Sequence, residues 1–345
     1  MAESQHIAAL RRIGWHGAPP AGPVARVVAQ HRAGYELHDG DRLFAAQPAG
    51  HFLKCGLDPS LRPAVGDFVA IGDGTPPEIL SVLARRSTLT RAAAGERYER
   101  QVIATNIDYV FVLTGLDGDF NPRRIERYLL LIKGSGAQPV VLLTKADRCG
   151  DAAEPVALLA ERLPAGTPVH AINAKDAAGV HAALAAYLQP GDTVVLVGSS
   201  GVGKSTLTNT LLGEARMATN SVRANDSRGR HTTSHRALLQ LPGGGCLIDT
   251  PGMRELKLTG EENMDLFTDI ENLVVRCRFS DCTHQREPGC AVLAALAAGE
   301  IDAARWHNYE KLKGEREDQA ATLEARLKRT AKTPSKALGR RQRDR

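Results

Sequence analysis

An eight-residue glycine-rich segment carries the strongest chemical signal in the sequence. It reads GSSGVGKS over 198–205 and matches G-x4-G-K-[ST], a loop that binds nucleotide phosphates. The apolar run TVVLV precedes it and the helical run KSTLTNTLL begins inside it, so backbone N–H groups and a helix N-terminus both face an anion there. Lys204 is expected to pair with the β- and γ-phosphates, and Ser205 to bind Mg²⁺. The phosphate site is predicted to comprise Gly198, Ser199, Ser200, Gly201, Val202, Gly203, Lys204, Ser205 and Thr206.

Two further segments are suited to select guanine. Thr144-Lys145-Ala146-Asp147 follows the run PVVLL and resembles the [NT]KxD motif of GTP-binding proteins. The Asp147 carboxylate can accept hydrogen bonds from N1–H and the 2-amino group of guanine, whereas adenine offers neither donor, so the site should reject adenine. Asn173-Ala174-Lys175 also follows a strand-like run and resembles the S-A-K element whose backbone N–H contacts guanine O6. Taken alone, each segment would more often be a surface loop than a guanine-binding element.

A D-x-x-G element completes the set. Asp249-Thr250-Pro251-Gly252 follows the run CLI, and Asp249 is expected to hold Mg²⁺ through water, with Gly252 also at the nucleotide. The guanine segments precede the phosphate loop, whereas an ordinary GTPase begins with that loop. The order therefore predicts a circularly permuted GTPase domain, which a fold with neighbouring termini tolerates.

The residue that should orient the attacking water is missing from its usual place. Met253 follows the D-x-x-G element and cannot make the required hydrogen bonds, so a polar group must come from another segment or a partner. We predict slow intrinsic turnover, with Lys204, His231 and Asp249 as catalytic residues. His231 could instead contact RNA phosphate, because Arg228 and Arg230 lie beside it.

Four potential metal ligands cluster near the C-terminus. Cys277, Cys282, His284 and Cys290 provide three thiolates and one imidazole, which suffice for a closed tetrahedral Zn²⁺ site. The predicted site is structural, with one zinc per chain, because no position remains for water. The alternative is a set of reduced, unligated thiols.

The elements that must position these residues follow two successive sequence patterns. Short β-like runs separated by turns over 24–90 predict a small barrel, for which the five-stranded oligonucleotide-binding (OB) fold is one candidate. From Tyr109, strand-like and helical runs alternate, which predicts a mostly parallel α/β sheet. We divide the chain into an OB-type RNA-binding barrel (1–95, with a flexible N-terminal extension), the permuted GTPase domain (96–258), a helical zinc module (259–310) and a basic tail (311–345).

Composition and charge narrow the class. The 345 residues are 43% apolar, with no run long enough to span a membrane and no secretory signal, which favours a cytoplasmic, globular chain. The net charge is +5, yet residues 311–345 hold 12 Lys and Arg against 5 acidic residues. Such a tail can bind nucleic acid or can simply be a solvated helix. No heptad pattern suggests assembly, so we expect a monomer.

Over about residues 24–310, the chain resembles the small ribosomal subunit-dependent GTPase family of the RsgA or YjeQ type. The features that carry this resemblance are the permuted order, the loop GSSGVGKST, the segments RGRHTTSH and DTPGMREL, and the preceding barrel. Thr144 replaces the commoner Asn and Asn173 the commoner Ser. The resemblance implies zinc on this Cys/His spacing and an Mg²⁺-sensing threonine at Thr232 or Thr233. It also implies GTP and GDP as ligands and the small ribosomal subunit with its rRNA as partner.

The sequence therefore predicts a GTPase that hydrolyses GTP during late small-subunit maturation and is stimulated by the subunit. One alternative is a nucleotide-regulated rRNA-binding assembly factor whose hydrolysis is incidental. A kinase or ATPase built on the same loop is a further alternative, which Asp147 and Asn173-Ala174-Lys175 disfavour.

Overall fold

The computed structural model describes residues 2–31, 34–54, 57–92, 100–214, 236–250 and 257–331. The strands are β1 (Val24–His31), β2 (Gly34–His38), β3 (Leu43–Pro48), β4 (Phe68–Gly72), β5 (Glu78–Val82), β6 (Thr88–Ala92), β7 (Arg100–Thr105), β8 (Tyr109–Gly115), β9 (Gln138–Thr144), β10 (Val169–Ala171), β11 (Thr193–Gly198), β12 (Ala237–Gln240) and β13 (Cys246–Asp249). The helices are α1 (Ala2–Arg12), α2 (Pro122–Lys133), α3 (Ala153–Arg162), α4 (Ala177–Leu184), α5 (Lys204–Leu212), α6 (Thr268–Val274), α7 (Ala291–Ala298) and α8 (Ala303–Ala331).

The described residues form two compact units. One contains those of 1–91 and 101–256, and the other contains those of 92–100 and 257–345. The predicted boundary at 95/96 lies outside the described residues, and α8 runs without a break across the predicted boundary at 311. The four-part division of the chain stays a prediction.

Strands β1 to β5 form the predicted barrel. They pair in the order β1-β2-β3-β5-β4, and β4 returns to pair with β1, which closes the five-stranded barrel in the strand order of an OB fold. Alternate side chains such as Ala25, Val27 and Leu37 fill its interior. The turn between β2 and β3 forms because the Asp39 carboxylate accepts hydrogen bonds from the N–H groups of Asp41 and Arg42.

The second half of the same unit is the predicted α/β sheet. Strands β10, β9, β8, β11 and β13 are parallel in that order, and β12 pairs with β13 antiparallel as the predicted hairpin. All six residues of β11 are buried, as expected for a central strand covered on both faces. β12 also pairs with β1 at Ala29 and Ala237, so barrel and sheet are hydrogen-bonded into one continuous array. The sequence did not predict this junction.

The second unit is mainly helical. Phe267, Trp306 and Tyr309 pack ring against ring in its core, and α7 begins directly at the Cys/His cluster. Gly260 is required at its position, because its φ is +89° and a Cβ there would lie 2.5 Å from the backbone N of Ala320. Within the described part of the chain, no helix has both the length and the apolar character needed to cross a membrane.

Candidate nucleotide site and metal centre

The glycine-rich segment forms a loop between β11 and α5, as predicted. Gly198, Gly201 and Gly203 have φ values of +146°, +80° and +99°, which favour glycine. A Cβ at Gly198 would lie 2.4 Å from the carbonyl oxygen of Leu113. Lys204 is the first residue of α5, so the loop leads into a helix N-terminus, where anions bind.

Two charged side chains lie at the loop. Lys204 belongs to the loop, and Asp249 lies beside it on β13. The Lys204 Nζ donates to the carbonyl oxygens of Gly198 at 2.7 Å and Ser199 at 2.5 Å. Asp249 ends β13, which pairs with β11, and its side chain is buried. Burial raises the pKa of Asp249, while the positive charge of Lys204 acts in the opposite direction. A buried carboxylate beside the phosphate loop is suited to a cation.

The guanine segments meet the phosphate loop. Thr144 is buried at the end of β9, and its hydroxyl donates to the carbonyl of Val202 at 2.6 Å. Ala174 approaches from the other segment, since its carbonyl accepts from the Thr210 hydroxyl of α5 at 2.6 Å. The two segments contact each other where the Ala146 N–H donates to Ile172. Three segments far apart in sequence therefore converge at one edge of the sheet.

The remaining residues predicted for the guanine site lie where these segments face solvent. Lys145 is left-handed, with φ +62°, and its Nζ pairs with the Asp117 carboxylate at 2.5 Å. The hydrogen bond from Lys145 lowers the pKa of Asp117, against a smaller effect of burial. Asp147 and Lys175 are exposed, and Asn173 is half-buried. Their side chains are accessible to a ligand.

Sequence reasoning missed a group of residues after β8 and in the first turn of α2. Asp119 and Arg124 contact Ser199 of the phosphate loop, and Asp117 contacts Lys145. The available signal was two aspartates directly after the end of a parallel strand, the edge at which such sheets bind ligands. His231, Thr232, Thr233, Gly252 and Met253 lie outside the described residues.

The Cys/His cluster is assembled in the second unit. The ligand atoms of Cys277, Cys282, His284 and Cys290 all lie within 4.8 Å of one another. The His284 Nδ1 is 3.5 Å from the sulfurs of Cys277 and Cys290, which are 3.8 Å apart. A tetrahedral zinc with Zn–S of about 2.3 Å and Zn–N of about 2.0 Å requires separations of about 3.5 and 3.8 Å. The cluster could therefore hold a metal such as zinc.

Comparisons with known proteins agree with this geometry. The model of the RsgA GTPase family matches residues 82–259. The chain is 54% identical over 313 residues to the small ribosomal subunit biogenesis GTPase RsgA of Xanthomonas axonopodis pv. citri (strain 306), covering 90% of this chain and 85% of that relative. The protein of the same name from Xylella fastidiosa (strain 9a5c) is 54% identical over 293 residues, covering 84% and 85%.

Two solved structures share the fold. The crystal structure of YjeQ from Thermotoga maritima superposes with a TM-score of 0.60 at 27% identity, covering 85% of this chain and 98% of that one. YloQ, described as a circularly permuted GTPase, gives a TM-score of 0.58 at 22% identity, covering 88% and 98%, and so supports the fold alone. The permuted order and the barrel predicted from the sequence are confirmed, and the chain belongs to the RsgA GTPase family.

Proposed function

We propose that this protein is a GTP hydrolase that binds the small ribosomal subunit and acts late in its maturation, with turnover stimulated by the subunit. The relatives that are 54% identical over most of the chain are named small ribosomal subunit biogenesis GTPases, which supports the GTPase activity and the link to the small subunit. The observation that carries the proposal is the hydrogen bond from Thr144 to Val202, because it unites the guanine segment with the phosphate loop. A protein with this role works beside ribosomes in the cytoplasm, and we expect it to act as a monomer.

The described side chains suit defined roles at the nucleotide. Lys204 would bind the β- and γ-phosphate oxygens, since its ammonium already lies within the loop, held by two carbonyls. Ser205 and Asp249 would hold Mg²⁺, which neutralises phosphate charge when bound. Asp147 would accept from guanine N1–H and the 2-amino group. The Thr210 hydroxyl donates to the Ala174 carbonyl and fixes this segment, from which a backbone N–H would contact guanine O6.

Water activation is assigned to a residue outside the described part of the chain. Met253 is apolar, so we propose that His231 orients the attacking water and that Thr232 or Thr233 contacts Mg²⁺. Full subunit-stimulated turnover in His231→Ala would remove the catalytic role from this histidine.

The Cys/His cluster is proposed to bind one structural zinc per chain. Its four ligands would complete a tetrahedral coordination and leave no position for a substrate or water. Cys290 is the N-cap of α7, since its sulfur accepts from the Leu293 N–H at 3.4 Å. Metal binding would therefore fix the start of that helix.

Phosphate release measured with GTP and with ATP, alone and with purified small or large subunits, tests the proposed function. We expect slow GTP turnover alone, at least tenfold stimulation by small subunits only, and no ATP turnover. GTP turnover that is unchanged by small subunits would favour an RNA-binding factor whose hydrolysis is incidental. Equal turnover of ATP would favour a kinase or ATPase and refute the guanine site.

A base-specificity experiment tests Asp147 separately. Asparagine offers one acceptor and one donor, which suit the N1–H and the 2-carbonyl of xanthine. Asp147→Asn should therefore weaken GDP binding about 100-fold or more and bind XDP better than the unaltered protein does. An unchanged preference for GDP would place guanine recognition elsewhere.

A further inference from the structure

The segment that joins β8 to α2 contacts the phosphate loop through side chains that belong to none of the nucleotide motifs. Its position follows from the sheet, because β8 is the immediate neighbour of β11 and both strands end at the same edge. Asn121 caps α2 by accepting from the N–H of Arg124, and Pro122 is the first helical residue. The start of α2 is thereby fixed beside the loop.

Three side chains form a closed set of hydrogen bonds there. Arg124 Nη1 pairs with Asp119 Oδ1 at 2.6 Å and donates to the hydroxyl oxygen of Ser199. That hydroxyl donates in turn to Asp119 Oδ2, with an oxygen separation of 3.1 Å. The Asp119 carbonyl accepts from the Thr114 hydroxyl at the end of β8, which fixes the segment from the other side. Each member therefore restrains the other two.

Ser199 connects Asp119 and Arg124 to Lys204. Its side chain is held by Asp119 and Arg124, while its carbonyl oxygen accepts from the Lys204 ammonium at 2.5 Å. A shift of Ser199 would therefore move an acceptor that fixes Lys204. Displacements of about 1 Å at a reacting centre can reduce a rate about 100-fold.

We propose that Asp119 and Arg124 are positioning residues for GTP hydrolysis, which hold Ser199 of the phosphate loop and through it the ammonium group of Lys204. The inference deepens the proposed function and rests on it. The oppositely charged pair adds no net charge to the site, so we expect its main effect to be on the position of Ser199 and Lys204. The transition state, in which charge is redistributed over the γ-phosphate, is more sensitive to that geometry than binding of GDP.

Single-turnover and steady-state kinetics with small subunits test the proposal. Arg124→Ala should lower kcat about tenfold, with KM for GTP and Kd for GDP each within threefold of the unaltered protein. Arg123→Ala is the matched control, because Arg123 is the exposed neighbour on the same helical turn. It should leave kcat within twofold. In Arg124→Lys an ammonium can donate to both Asp119 and Ser199, so this variant should regain at least a third of the unaltered kcat.

A double-mutant cycle separates positioning from general loss of stability. Ser199→Ala removes the hydroxyl that both partners hold and should lower kcat to a similar extent as Arg124→Ala. The double variant should be no more than about twofold slower than either single variant, since the two changes break the same connection. Three outcomes would overturn the proposal. The reductions in kcat of the two single variants could multiply in the double variant, the substitutions could change KM alone, or the kcat of Arg124→Ala could lie within twofold of that of the Arg123→Ala control.

The same measurements keep the two proposals apart. If the unaltered protein and every variant hydrolyse GTP equally well, the positioning role fails and the proposed function stands. If the unaltered protein shows no GTP turnover with subunits, both fail. Unchanged GDP binding and an unchanged Tm show that each variant is folded.

Discussion

At Thr144 a single hydroxyl group joins the guanine segment to the phosphate loop. The side chain is buried, and its oxygen lies 2.6 Å from the Val202 carbonyl and 3.3 Å from that of Thr114. Valine has nearly the same shape and no hydroxyl. Substitution therefore tests the hydrogen bond rather than the packing.

Thr144→Val should weaken the binding of GDP and GTP alike, by about tenfold. Loss of a partner for a buried carbonyl costs about 1–3 kcal/mol, and a tenfold change in affinity corresponds to about 1.4 kcal/mol. Fluorescent nucleotide titration measures both affinities. Thr144→Asn is the matched control, because its amide can donate to the same carbonyl and should retain most of the affinity. If the Thr144→Val protein binds both nucleotides as tightly as the unaltered protein does, the hydroxyl has no role in binding.

Among the elements, α7 begins at the Cys/His cluster that we propose to bind zinc. Treatment with a chelator should release one zinc per chain and destabilise the fold of residues 257–331, because the four ligands would lose their common partner. We expect faster proteolysis within this range and a fall in helical circular dichroism. Cys277→Ser should reproduce both effects without a chelator.

Cys149→Ser is the control for the metal experiment, since Cys149 is a free thiol outside the cluster. It should bind a full equivalent of zinc. A Cys277→Ser protein with unaltered zinc content and protease resistance would contradict the assignment of the ligands.

The barrel strand β1 is joined to the nucleotide-binding sheet by a buried arginine. Arg26 has no exposed surface and donates to the carbonyls of Gly66 and Asn106, to Ile13 of the N-terminal segment, and to the Thr193 hydroxyl at the start of β11. Burial lowers the pKa of Arg26, and the nearby acidic groups Asp108 and Asp67 act in the opposite direction. These contacts connect β1 to four other segments of the chain.

Arg26→Met should destabilise the protein by about 3 kcal/mol or more, because it leaves several buried acceptors without donors. Urea unfolding measures the difference. The control is Arg42→Met on β2–β3, where the arginine side chain is 80% exposed and the cost should be below about 0.5 kcal/mol. Equal stability of the two variants would show that the Arg26 contacts contribute nothing net.

Arg26 also shows where prediction from sequence ends. Alternating runs such as YELHD and the βαβ series from Tyr109 were enough to predict the barrel and the parallel sheet, because their periodicity reports burial directly. An arginine within the run VARVV gives no sign that its partners come from positions 13, 66, 106 and 193. The β1–β12 pairing at Ala29 and Ala237 is likewise without a local signal.

The nucleotide site shows the same difference between features that a local sequence motif predicts and contacts between distant segments. The phosphate loop, Thr144 and Asp249 belong to contiguous motifs whose backbone geometry is local, so their positions could be predicted. Asp119 and Arg124 reach Ser199 only because β8 and β11 are neighbours, which depends on strand order. Side chains that act across strands need the assembled sheet to be recognised.

On the scale of the whole molecule, charge is concentrated at one end of the chain. Residues 332–345 contain six Lys and Arg and one Asp, so a chain that ends at Ala331 has 38 basic and 38 acidic residues. The excess positive charge of the protein thus resides in its last 14 residues. Basic segments bind RNA by releasing counterions from phosphates, and this contribution depends steeply on salt.

Removal of residues 332–345 should therefore weaken binding to small subunits about tenfold or more near 100 mM salt and make the dependence of affinity on salt shallower. GTP turnover without subunits should stay within twofold, because the nucleotide motifs all precede residue 260. Sedimentation with purified subunits over a salt series measures the affinity. A full-length variant with the six basic residues changed to Gln separates charge from chain length, and it should behave like the truncated protein. If both variants keep the original affinity and salt slope, residues 332–345 are a solvated extension, and the barrel or the helical unit must supply the contacts to rRNA.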